Sequence, residues 1–296
     1  MHLDGYVALA GLIVGMAVGL TGMGGGALMT PVLVLVFGVQ PLAAVSSDLV
    51  ASLVMKPVGA AVHAARGTVQ WPLVACIAVA SVPSAFAGVL LLRTVHDAAT
   101  VQQLVQAALG AVLLLCVGAL ITRGLIRRPT QPQNAPRHVT VELRPVPTLA
   151  VGLVVGFIVG ITSTGSGTLV IVMLLVLYPQ LSTRGLVGTD LVQAIPMVGA
   201  AAVAHLLFGD FRLGLTLSIV VGSVPGVLLG SLISSRAMSA RATQGVRLAL
   251  IAVLLLSGLR LLGANAVMLG AAAAVALVAM LVTLLLRRPN EASAAT

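Results

Sequence analysis

Five ionisable side chains fall inside apolar stretches of this sequence: Asp48, Lys56, His63, Asp190 and His205. Charge is costly there, so such groups usually serve an ion, a proton path or a ligand. A shift of 142 positions carries Asp48 onto Asp190 and His63 onto His205. Two matched carboxylates can exchange protons, and they repel an anion unless protonated or paired. That favours proton coupling over direct anion binding. The competing reading is helix capping, because Ser46-Ser47-Asp48 and Gly188-Thr189-Asp190 look like N-cap sequences. Lys56 is the only lysine and aligns with Val198, which breaks the match. It lies about 14 residues into its predicted helix, too deep to snorkel. It can neutralise an anion or pair with Asp48. His63 and His205 suit gating or proton relay, or they are satisfied polar groups. Gln193, on the same stretch as Asp190, can hydrogen-bond a substrate.

Two glycine-rich breaks stand beside these residues. The first holds Thr21, Gly22, Met23, Gly24, Gly25 and Gly26; the second holds Thr162, Ser163, Thr164, Gly165, Ser166 and Gly167. Each break ends where a new helix begins, and free N–H groups at a helix start attract anions. Glycine lets a ligand approach the backbone closely, and the hydroxyls of the second break can donate to an oxyanion. The competing reading is a tight turn with close helix packing. The substrate-binding expectation covers Lys56, Gln193 and both breaks except Met23. The coupling or gating expectation covers Asp48, Asp190, His63 and His205.

The breaks belong to a duplication. GLIVGMAVGLTGMGGG from Gly11 recurs as GLVVGFIVGITSTGSG from Gly152, with nine of sixteen positions identical. Ser81-Val82-Pro83 recurs as Ser223-Val224-Pro225, and Gly88 as Gly230. Both prolines are expected to kink or cap helices. Two apolar units with glycine-interrupted starts point to a transporter whose site lies between the repeats.

Composition agrees. The chain is 59% hydrophobic and 8% charged, with 32 glycines, which predicts closely packed helices in a bilayer. The net charge of +9 does not indicate nucleic acid, because the arginines fall in loops and in the tail. Cys76 and Cys116 lie in apolar runs and lack metal-ligand spacing. The N-terminus has no basic region or clear cleavage site, so the first apolar segment is expected to be retained.

Periodicity predicts short helices over 5–20 and 26–37, then long ones over 42–64, 71–92 and 99–122. Residues 123–147 form a proline-containing linker. Short helices over 149–161 and 167–178 follow, then long ones over 184–207, 213–234 and 242–260, and an extra helix over 265–286. The domains are therefore repeat 1 over 1–122, a cytoplasmic linker over 123–147, repeat 2 over 148–261, the extra helix within 262–286 and a cytoplasmic tail over 287–296.

The arms flanking each break, at ~20–24 Å, fall short of the ~30 Å hydrocarbon core. With each break a re-entrant hairpin and the linker inside, arginines divide twelve inside to three outside. With each break crossing once, they divide eight to seven. The positive-inside rule selects the first arrangement. The predicted fold is an all-α integral membrane protein. It has two inverted repeats, each a re-entrant helical hairpin plus three transmembrane helices, and one extra C-terminal transmembrane helix. The N-terminus is outside.

GLIVGMAVGLTGMGGGALMTPVL, followed by AVSSDLVASL and VHAARGTVQW, resembles the sulfite exporter TauE/SafE family over about Leu9 to Leu285. Where that family often has a Gly-Thr-Ser run, this chain carries the two aspartate-containing segments. The resemblance implies transport of sulfite, an organosulfonate or a related sulfur-containing or organic anion across a prokaryotic inner membrane. The expected partners are the small anion, protons or another coupling ion, and the lipid bilayer. No cofactor, metal or nucleic acid is expected, and the oligomeric state is open. Zincin, Walker and nucleophile-elbow motifs are absent from the sequence, so an enzyme is not expected. The alternatives are an uncoupled anion channel, an intramembrane enzyme or an accessory subunit.

Overall fold

A computed structural model describes residues 4–21, 25–65, 67–125, 142–181, 183–235 and 240–286. Among them there are eleven helices and no strand. In order they are α1 (Gly5–Thr21), α2 (Gly26–Leu35), α3 (Pro41–Ala65), α4 (Trp71–Thr94), α5 (Ala98–Leu125), α6 (Pro145–Thr162), α7 (Thr168–Leu177), α8 (Thr183–Phe208), α9 (Leu213–Ser235), α10 (Ala240–Leu261) and α11 (Ala266–Leu286). Every predicted helix has its counterpart. Seven are long and apolar enough to cross a membrane: α3, α4, α5, α6, α8, α9 and α10.

The presence of α6 in that set departs from expectation. It starts at Pro145 and runs 18 residues, or ~27 Å, instead of forming a short arm from residue 149. Pro145 and Pro147 read as linker, yet proline suits a first helical turn because the N–H it lacks would be unpaired there anyway. Tyr178 holds that start in place. Its buried hydroxyl accepts the Arg144 N–H at 3.0 Å and lies 2.6 Å from the Thr148 hydroxyl. In α1 the first arm is 17 residues, whereas α2 and α7 are 10 each. Each break therefore joins one nearly membrane-length arm to one half-length arm. Residues 126–141 of the predicted linker and the tail from 287 lie outside the described residues.

Glycines set the packing. Helix α1 lies along α9, and α6 along α4. A Cβ on Gly15 would sit 2.5 Å from the Ser223 carbonyl oxygen; one on Gly156 would sit 2.4 Å from that of Ser81. From the other side, Gly222, Gly226 and Gly230 press on the backbones of Ala8, Leu12 and Met16. Four-residue spacing puts these glycines on one helix face, where they let two backbones touch. Without a hydrophobic driving force in lipid, this dispersion contact is what holds such helices together. Much of the duplicated GLIVGMAVG and GLVVGFIVG stretches is therefore packing surface. Pro83 and Pro225 lie inside α4 and α9 and do not cap them.

The two halves exchange partners throughout. Helix α3 packs on α8, α5 on α7 and α10, and α2 on α10. The core between them includes Met29, Leu33, Leu49, Leu109, Leu113, Ile171 and Leu174. Large apolar side chains such as Val79, Val176, Leu207 and Leu232 face outward. A bilayer makes no demand that they be hidden.

Candidate functional site

The two breaks meet. Ser163, just past the end of α6, sits against Gly26 at the start of α2. A Cβ on Gly26 would lie 2.1 Å from the Ser163 carbonyl oxygen. Thr164 also donates its hydroxyl to the Gly26 carbonyl at 3.1 Å. Only glycine fits at 26, because the opposite backbone occupies the space a side chain would need.

Asp48 lies at this junction, 1% exposed. Its Oδ2 accepts hydroxyl hydrogens from Thr30 of α2, at 3.1 Å, and from Ser163. Three segments thus converge on one carboxylate: α3, α2 and the second break. Ser163 has φ +59°, the left-handed region, and Gly165 has φ +108°. Serine there costs ~1–2 kcal/mol of backbone strain relative to glycine. The strain persists because the hydroxyl it aims makes a charge-assisted bond. The capping reading of Asp48 fails: α3 begins at Pro41, and the carboxylate points across to other elements.

Lys56, two turns further along α3, is also buried. Its Nζ donates to Ser166 Oγ at 2.6 Å, not to Asp48 as one sequence reading had it. Gly25 lies on the same side, where its Cβ position is 3.7 Å from Met55 Cε and 3.8 Å from Ser52 Oγ.

Asp190 lies inside α8, so it is not an N-cap either. Its Oδ1 accepts from Gln193 Nε2 at 3.2 Å, both side chains being buried. Gln193 Oε1 and Ser47 Oγ are buried with no hydrogen-bond partner among the described residues. Unsatisfied buried polar atoms are uncommon and call for an explanation; a polar ligand between α3 and α8 would supply one.

His205, expected to couple or gate, is buried on α8. Its Nε2 donates to the Gly160 carbonyl at 2.8 Å, and its Nδ1 lies 2.8 Å from Ser46 Oγ. It therefore ties α8 to α6 and α3, one or two turns from the tip. Gly22, Gly24 and the His63 side chain lie outside the described residues. Thr21 and Thr162 bond back to their own helices, at Ala17 and Ile158. Gly167 precedes α7 as its N-cap residue, without a side-chain cap bond.

Sequence reasoning passed over Thr30, Ser47 and Ser52. Thr30 had a signal: a hydroxyl beside Pro31 in an otherwise apolar arm. Among the described residues no group of three metal-ligating side chains forms. What the cluster offers is hydroxyl donors, one ammonium and two carboxylates, all buried. That set suits a small, hydrogen-bonding, charged ligand.

Seven apolar membrane-length helices around such a cluster define a multi-pass membrane protein. The sequence model of the family "Sulfite exporter TauE/SafE" matches residues 7–261, and the chain belongs to that family. It is similar to a "Probable membrane transporter protein YjnA" of Bacillus subtilis (strain 168), 37% identical over 86% of this chain and 98% of that protein. Two proteins of Xylella fastidiosa, strains Temecula1 and 9a5c, each called a probable membrane transporter protein, are 30% identical over 77% of this chain and 83% of their own length. No solved structure matches significantly. Family and relatives are named as transporters, not as enzymes.

Proposed function

We propose that the protein is a secondary transporter of a small anion, of the sulfite, organosulfonate or related organic-anion class. Its site lies where the two breaks meet. The observation that carries this reading is the double link between α3 and the second break: Ser163 on Asp48 and Ser166 on Lys56. An anion arriving there can take the Lys56 ammonium and the Ser163 and Ser166 hydroxyls as donors. Gln193 and the backbone around Gly25, Gly26, Gly165 and Gly167 complete the surroundings.

Two carboxylates against one ammonium leave the empty site negative when all are ionised. An anion is then best accommodated when a proton enters with it, on Asp48 or Asp190. Coupling to protons or to another ion follows from that charge balance. His205 organises α3, α6 and α8 around the site and gates the movement between them.

Repeats over 1–122 and 148–261 are read as inverted copies. The exchange of partners, α1 with α9 and α6 with α4, supports a two-fold relation, which sends each pair onto the other; three crossings per repeat would make the copies inverted. In the proposed arrangement the breaks are tips of re-entrant hairpins near the midplane, and access alternates as one repeat rocks against the other. In this arrangement the N-terminus faces outward and the C-terminus the cytoplasm of a prokaryotic inner membrane, an orientation that the arginine distribution favours. Liposome flux of labelled sulfite and simple sulfonates, with and without a pH gradient, tests the reading. Gradient-driven accumulation is expected; absence of flux for every anion would overturn it.

A further inference from the structure

A mostly apolar cavity with a polar corner lies away from the junction of the breaks. Its volume is about 270 Å³, it is open on one side, and the ends of α4 and α8 and the starts of α3 and α5 line it. Ligand pockets for drug-sized molecules run ~300–1,000 Å³, so this one suits a smaller guest.

Its polar lining is Arg93, His96 and Gln102. Arg93 places its guanidinium carbon 4.6 Å from the centre of the Phe208 ring, and Phe86 packs edge-on against the same ring at 6.2 Å. A guanidinium laid on an aromatic face keeps its N–H groups pointing outward in its own plane, where they match an oxyanion. Gln102 commits its Oε1 to the Leu42 N–H at 3.0 Å, which leaves the amide nitrogen for a ligand. His96 also lines the cavity. The nearby acids are occupied elsewhere: Asp97 accepts from the Thr100 N–H and hydroxyl, and Asp210 pairs with Arg212 at 3.0 Å. Among the described residues no carboxylate pairs with Arg93. The rest of the wall, Val89 and Val101 included, is apolar.

We infer that this cavity is a separate, peripheral binding site for a small organic oxyanion, one carrying an apolar substituent beside its sulfonate or carboxylate. Its inner wall is Gly209. A Cβ there would stand 2.7 Å from Ser46 Oγ and 2.8 Å from His205 Nδ1. The site therefore abuts the polar pair that ties α3 to α8, and a guest held there waits one glycine away from it. The donor set fixes the ligand class; its role as an antechamber rests on the transport reading.

The test is titration of the purified full-length protein with benzenesulfonate, using Arg93→Gln, His96→Gln and Lys56→Gln. Two binding events are expected in the wild type. Arg93→Gln and His96→Gln should each weaken the same one by about tenfold and leave the other, while Lys56→Gln should do the reverse. Melting curves check that each variant is folded, and His96, being exposed, carries no packing. Unchanged binding in both Arg93→Gln and His96→Gln, or loss of all binding in Lys56→Gln, overturns the site. Liposome flux separates the two readings. Flux without Arg93-dependent binding removes this site and keeps the transporter; Arg93-dependent binding without flux does the opposite.

Discussion

Ser163 donates its hydroxyl hydrogen to Asp48 from a left-handed backbone. The bond joins the second break to a helix of the first half. The sequence pairs this serine with Gly22, so a strained side chain stands where the duplicate carries none.

Ser163→Gly should relieve about 1 kcal/mol of strain and lose a bond to a charged group worth about 1.5–3 kcal/mol. Ser163→Ala loses the bond and keeps the strain. Thermal melting should therefore rank wild type above Ser163→Gly, and Ser163→Gly above Ser163→Ala. The reverse order of the two variants would place the strain elsewhere.

Lys56→Gln keeps a donor for Ser166 and removes the charge. Anion affinity should fall at least tenfold, about 1.4 kcal/mol, and Lys56→Arg should restore part of it. Equal affinity in Lys56→Gln and the wild type would remove Lys56 from the site.

Asp48→Asn preserves size and one acceptor for Ser163 and Thr30. If the carboxylates carry the coupled proton, Asp48→Asn or Asp190→Asn should leave flux that no longer responds to a pH gradient. Gradient dependence surviving in both variants would sink the coupling role.

Gly15→Ala, Gly156→Ala and Gly226→Ala each drive a methyl into the backbone of the neighbouring helix. Overpacking of this kind costs about 1–3 kcal/mol. Gly118→Ala, whose Cβ would meet nothing within 4 Å, should be neutral. Melting in detergent measures the contrast.

Asp97 caps α5 from outside the apolar segments. The Thr100 hydroxyl, then its N–H, hold the carboxyl below its usual range. A depressed folded value means the stabilisation is present above the unfolded value, near ~3.9, and fades as pH falls through the folded one. Asp97→Asn should flatten the acid limb of the melting profile, and an unaltered limb would show the cap to be silent.

The helices were legible because apolar runs and glycine or proline breaks leave few alternatives in a bilayer. Pro145 misled at one boundary, since a proline that ends one helix also starts another well. Members of the buried polar cluster were legible where charge or duplication marked them, as with Asp48, Lys56 and Asp190. Thr30 was not, because a hydroxyl in an apolar helix has no periodicity and acquires meaning only from what stands opposite, here Asp48. The division of labour among glycines was equally hidden: Gly15 and Gly26 belong to one motif, yet the first touches α9 and the second Ser163.

The crossed pairing of helices imposes an order on synthesis. Helix α6 emerges when its partner α4 is already in the membrane, so its glycine face can dock at once. Helix α1 must wait until α9 has been made, with residues 22–212 between them. Helix α1 is thus made well before it can be packed. Until then its bare glycine face is exposed to lipid and to the insertion machinery.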